Sequence, residues 1–145
     1  MNYLVILDAQ AGELGKILSG MKSMVVKDLD PAEADVRPVS PGDNLYFMKR
    51  DECALRVKAT VVRVLPFTNS KVEELSHTLK ELQPRLQLTE DQYNYWSTQK
   101  QALLVEFGTA QKMEVIYVSL EKNIDRSNWF AFEAFNLFRN LDGVL

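Results

Sequence analysis

The chain has 145 residues, 46% of them hydrophobic and 26% charged, with a formal net charge of -3. A length of this order builds one ordinary domain, which buries roughly 70% of the surface its unfolded chain exposes, so no metal or disulfide is required to hold it. The acidic balance argues against broad capture of duplex nucleic acid, and the single cysteine, Cys53, excludes an internal disulfide and a four-thiolate zinc site.

The N-terminal run Tyr3 to Leu7 is apolar but meets Asp8 after a stretch far too short to span a bilayer and has no basic leader, so it reads as a buried strand. No later run approaches spanning length. With one cysteine and no targeting pattern, the expectation is a cytoplasmic protein that does not engage a membrane. Leu14, Ile17 and Leu18 then repeat at helical spacing, and Gly20 stands where a helix end wants a residue tolerant of positive φ. Met24 to Leu29 reads as a second strand. The acidic stretch Asp30 to Asp35 has no apolar period and reads as a mobile loop.

Pro41-Gly42-Asp43 is a turn cluster that opens a third strand at Asn44, and Asp51-Glu52 marks a hairpin. From Leu55 the pattern alternates, with Leu55, Val57, Ala59 and Val61 on one face and Arg56, Lys58 and Thr60 on the other. The parity flips between Val61 and Val62. Either a β-bulge inserts there or both faces become buried.

Ser70 to Glu73 carries a capping-box pattern before Val72, Leu75, Leu79 and Leu82, which predicts a helix from Lys71 to about Leu82 that Pro84 ends. Thr89 to Gln92 offers a second capping box, with Leu88 and Tyr93 spaced as a hydrophobic staple, and the helix behind it carries Tyr93, Tyr95 and Trp96. Ala102 to Phe107 and Glu114 to Leu120 read as adjacent strands across the polar turn at Gly108. The tail Ser127 to Phe138 is dense in aromatics. As a helix it aligns Trp129, Phe132, Phe135 and Phe138; as a strand it puts Phe130 and Phe132 on one face, and periodicity does not decide between them. Packing on the domain or sealing a homodimer are its two readings.

The helix before Gly20-Met21-Lys22, the Pro41-Gly42-Asp43 turn, the Arg56 to Val64 strand, Leu88-Thr89-Glu90 and Leu103 to Phe107 follow one another in an order that resembles ASCH domains. That family lies within the PUA-like superfamily. The resemblance spans about Tyr3 to Leu120 and implies an α+β fold, a PUA-like mixed β-barrel with flanking helices, as a single domain over 1–145 with an aromatic extension at about 124–145. The family hallmark is similar to Gly-x-Lys-x-x-Glu-x-Arg and reads here Gly20-Met21-Lys22-Ser23-Met24-Val25-Val26-Lys27. Glycine and lysine match. Val25 stands where the glutamate belongs.

Some ASCH proteins resemble amidohydrolases acting on a modified cytidine through a lysine, a threonine at the Val25 position and a glutamate ahead of the second helix. Only Lys22 has a counterpart here, because Val25 can neither attack nor carry a proton and Pro84 to Gln87 holds no carboxylate. The leading expectation is therefore a cleft that binds RNA or a nucleotide without catalysis. Lys22, Lys27, Arg56 and Lys58 would hold phosphate and Tyr46 and Trp96 would stack on a base, with Phe47 and Tyr93 as further aromatic candidates. An amidohydrolase acting on a modified nucleoside and a non-catalytic homodimeric module are the alternatives. The lone His77 suits neither a metal site nor a catalytic triad, and no cofactor motif is visible.

Overall fold

A computed structural model of the chain describes residues 1–8, 12–28, 38–49, 52–68, 72–99, 101–117 and 129–132. The acidic stretch Asp30 to Asp35, the capping residues at Ser70 and the tail beyond Phe132 lie outside them. The side chains of Val72 and Leu75 do as well.

Among the described residues, seven strands and three helices follow one another as β1 (Asn2–Leu7), α1 (Glu13–Ser19), β2 (Met24–Lys27), β3 (Asn44–Lys49), β4 (Ala54–Thr68), α2 (Val72–Leu86), α3 (Glu90–Ser97), β5 (Gln101–Phe107), β6 (Gln111–Tyr117) and β7 (Trp129–Phe132). The strands form one mixed, curled sheet in the order β2-β5-β4-β3-β1-β7, a half-barrel of the α+β class. β1 runs parallel to β3, and every other described pairing is antiparallel.

β4 organises the sheet. At about 3.3 Å per residue its 15 residues would extend close to 50 Å, beyond the usual strand, so it must bend. The bend lies where the alternation breaks. Val61 pairs with Phe107 but Arg63 pairs with Glu106, so Val62 is the extra residue of a bulge, and it is 51% exposed. Of the two readings of that parity flip, the bulge holds.

β5 and β6 do not pair with one another, contrary to the sequence reading. Both lie antiparallel to β4 along the same edge, β5 beside Val61 to Thr68 and β6 beside Ala54 to Lys58. A long bent strand offers two successive lengths of edge, and the residues between β5 and β6 carry the chain past the bend instead of reversing it.

α2 also departs from expectation, because it continues through Pro84 to Leu86. Proline removes the amide that would bond Lys80 O, and that carbonyl belongs to an exposed residue that water can serve. Burial of Leu86 favours the additional turn, which Gln87 closes by donating its N–H to Gln83 O at 2.9 Å.

Alternation sorts the core into three clusters. Val5, Leu7, Leu45, Phe47, Val57, Val61, Val105 and Phe107 fill the interior of the half-barrel, where α1 adds Ile17. Met24 and Leu104 face the other way, onto Leu79 and Leu86 of α2 and Leu88 before α3. On the outer face of β1 and β3, Leu4, Ile6, Tyr46, Met48 and Leu55 pack with Phe132; Leu55 leaves the face expected for it with Val57, because a second register shift of β4 falls between them. The tail is therefore a strand over its described part, and Phe130 and Phe132 share this outer cluster while Trp129 joins the interior.

Candidate functional site

β1 and β2 do not pair, and a cleft of about 270 Å³ opens between them. β1 supplies Val5 to Leu7, Asp8 follows it, β2 supplies Val25 and Val26, and α3 forms the far wall with Asp91, Gln92, Tyr95 and Trp96. Trp129 of β7 closes one side.

Lys22 reaches this cleft from beneath. Gly20 ends α1 at φ 85, a left-handed turn that costs glycine little. The chain folds back so that Lys22 N–H donates to Lys16 O at 3.0 Å. The side chain then runs inward, and the residue is 1% exposed. Its ammonium donates to the Leu86 carbonyl at the end of α2 and lies 3.5 Å from Glu13 Oε1. Glu13 is itself buried, and its second oxygen accepts the Asp8 N–H at 3.0 Å. Lys22 is thus a tie between α1, β2 and the α2–α3 corner, set into the floor of the cleft and not at its mouth.

Burial pushes the Lys22 pKa below the ordinary lysine value. The Glu13 charge and hydrogen bond oppose that shift only in part, and Lys16 adds to it. The ammonium is committed to two partners, so it offers little to an incoming phosphate. The charges around the cleft point the same way: Asp8, Glu13 and Asp91 outnumber Lys22 among its described lining residues. The cleft is not basic.

Of the six residues expected to act together, only Lys22 and Trp96 share this cleft. Lys27 lies at the end of β2 and donates to Asp28 O at 3.2 Å. Lys58 stands opposite Tyr46 in the β3–β4 pair, on the outer face of the sheet. Arg56, also on β4, is exposed and pairs with Glu52 at 3.3 Å. Tyr46 is 8% exposed and packs on Phe132 with ring centroids 5.6 Å apart, so it is core and has no free face for a base. Phe47 is fully buried inside the half-barrel, and the Tyr93 hydroxyl bonds Ser76 Oγ at 2.9 Å. Strand alternation sends Lys58 and Tyr46 to the face turned away from the cleft.

α3 is built as its sequence implies. Thr89 Oγ1 accepts the Gln92 N–H at 3.2 Å while Gln92 Oε1 accepts the Thr89 N–H at 3.0 Å, a complete capping box. Leu88 and Tyr93 meet in one cluster as the staple requires. Tyr95 is half exposed and meets the Trp96 ring edge-on at 5.0 Å. Burial raises the Tyr95 pKa, with Asp28 adding to the effect, so the phenol remains a donor at neutral pH.

Sequence reasoning missed Glu13, Tyr95 and Gln92. A carboxylate four residues before Ile17, on the apolar side of α1, was the available signal for Glu13. His77 is exposed and pairs with Glu81 at 3.2 Å. Among the described residues no group of three His, Cys, Asp or Glu side chains could hold a metal ion, and no helix is long and apolar enough to cross a membrane.

No protein-family model and no curated protein matches the sequence. Solved structures do resemble the fold. The ASCH protein of Zymomonas mobilis is 12% identical, with 99% of this chain and 94% of that chain covered at a TM-score of 0.65. A point mutant of the same protein gives 13% identity, 99% and 97% coverage and a TM-score of 0.64. A Pseudomonas putida protein is 11% identical over 98% of each chain at a TM-score of 0.50. At these identities the likeness is one of fold.

Proposed function

From an ASCH fold as premise, we propose that the chain binds RNA or a free nucleotide by taking one base into the cleft between β1, β2 and α3, with the phosphates kept outside. The observation that carries this reading is the composition of the cleft wall: an indole, a phenol and a side-chain amide face a narrow space whose floor is a neutralised ion pair. Small-molecule pockets run from about 300 to 1,000 Å³. A cleft of about 270 Å³ suits one flat ring. Aromatic walls hold bases without regard to sequence, at ~1–3 kcal/mol per stacked base. The carboxylates at the rim favour the base over the phosphate, which gives Lys27, Arg56 and Lys58 no role inside. Such a role fits a cytoplasmic protein.

The amidohydrolase alternative finds no aliphatic hydroxyl nucleophile among the described lining residues. Val25 lines the cleft and presents only methyl groups, and the described lining residues include no serine or threonine.

Both tryptophans of the chain, Trp96 and Trp129, line the cleft, so intrinsic emission reports on it directly. Titration with nucleosides and short single-stranded RNA should shift or quench that emission saturably, and Trp96→Ala should weaken binding tenfold or more. Emission unmoved by millimolar nucleoside or RNA would refute the reading.

A further inference from the structure

Aromatic walls and negative charge coincide in the cleft. Trp96 and Trp129 line it together with Tyr95, so three ring systems border one space. Its charged lining residues are Asp8, Glu13, Lys22 and Asp91. Glu13 and Lys22 lie 3.5 Å apart and cancel, which leaves the carboxylates of Asp8 and Asp91 as the net charge of the lining. Lys16 of α1 and Lys27 of β2 are not among the lining residues. Asp91 is exposed in the first turn of α3 and makes no hydrogen bond or ion pair among the described residues. Tyr95 registers the same field: burial first and the Asp28 charge second hold its phenol above the ordinary pKa, so negative charge is disfavoured where that ring stands.

We propose that the base this cleft selects is a cationic one, a purine or pyrimidine methylated on a ring nitrogen so that the ring itself carries a positive charge at neutral pH. This rests on the base-in-cleft reading above and names its substrate class. An aromatic face attracts a cation through its quadrupole, indole most strongly, and the attraction grows as water is excluded. Carboxylates around a recess with low-dielectric walls focus their field into it and raise the local concentration of cations. A neutral base gains stacking alone, and an anion is repelled. No hydrogen bond in a fixed direction is needed, because a charge delocalised over a ring responds to the sign of its surroundings. Together the two attractions separate a cationic from a neutral ring of the same size by about tenfold in affinity.

The isomers 1-methyladenosine and N6-methyladenosine test this, since only the first takes up a proton at neutral pH and becomes a cation. Calorimetric titration of the protein with each should show the cation binding about tenfold tighter. Asp91→Asn leaves the capping bonds between Thr89 and Gln92 in place, so it should melt within a few degrees of the wild type. It should weaken 1-methyladenosine about threefold and leave N6-methyladenosine where it was. Equal affinities, a tighter neutral isomer, or a preference that Asp91→Asn leaves whole overturns the assignment. If uridine or guanosine binds and 1-methyladenosine does not, the assignment falls while the base-in-cleft reading stands; if no nucleoside binds, both fall.

Discussion

Glu13→Gln removes the counter-charge from an ammonium that has almost no access to water. Lys22 is 1% exposed, its desolvation already outweighs the help from Glu13, and the variant leaves it with the Leu86 carbonyl and a neutral amide. Removing one partner of a buried pair costs about 3–5 kcal/mol, because the remaining charge is uncompensated. Lys22→Met strands the Glu13 carboxylate in the same way. The double variant leaves no charge behind, so replacing both partners should cost less than either single change. Chemical unfolding followed by far-ultraviolet circular dichroism at neutral pH measures all three. At roughly 3 °C per kcal/mol for a chain near this size, each single variant should melt about 10 °C lower. A coupling of at least 2 kcal/mol in the double-mutant cycle is the expected signature. Single losses below 1 kcal/mol that simply add in the double variant would show that the pair is solvated and that the floor of the cleft is not as described.

The same lysine makes stability depend on pH with a definite sign. Its folded-state pKa is lowered from 10.5, so between that lowered value and 10.5 the unfolded chain binds more protons than the folded one. Stability of the wild type relative to Lys22→Met should therefore rise with pH through this window, and a flat or falling difference in parallel denaturation curves would contradict it. At the bulge, Val62→Thr should change stability by less than about 0.5 kcal/mol because the side chain is exposed. Deleting Val62 removes the bulge and leaves the pairs from Arg63 to Thr68 in register, so the chain should still fold, with a lower melting temperature; a deletion that abolishes folding would disprove Val62 as the extra residue.

Local signals in this chain were legible where one short-range pattern decides the outcome. The parity break at Val61 and Val62 located the bulge, and Thr89 with Gln92 spelled out the start of α3. The order of the motifs led to the right fold despite very low identity to its structural relatives. What failed required knowledge of what covers each surface. Tyr46 and Phe47 were grouped as stacking candidates for one cleft, although neighbours on a strand face opposite ways, and here both faces are covered. The glycine turn located Lys22, but whether its amine runs outward or under α1 depends on Glu13 and on a carbonyl 64 residues further along the chain. Pro84 was misread because the rule that proline ends a helix ignores the gain from burying Leu86 one turn later. Adjacent strands in sequence were taken as adjacent in space, which a strand as long as β4 makes unnecessary.

The walls of the cleft come from distant parts of the chain: β1 belongs to the first eight residues and Trp129 to the last described strand. During synthesis the half-barrel can pair β1, β3, β4 and β5 well before residue 129 leaves the ribosome, yet the cleft at that moment lacks one side. On the base-in-cleft proposal, a nascent chain halted short of β7 would hold most of the sheet and lack the Trp129 wall that binding requires.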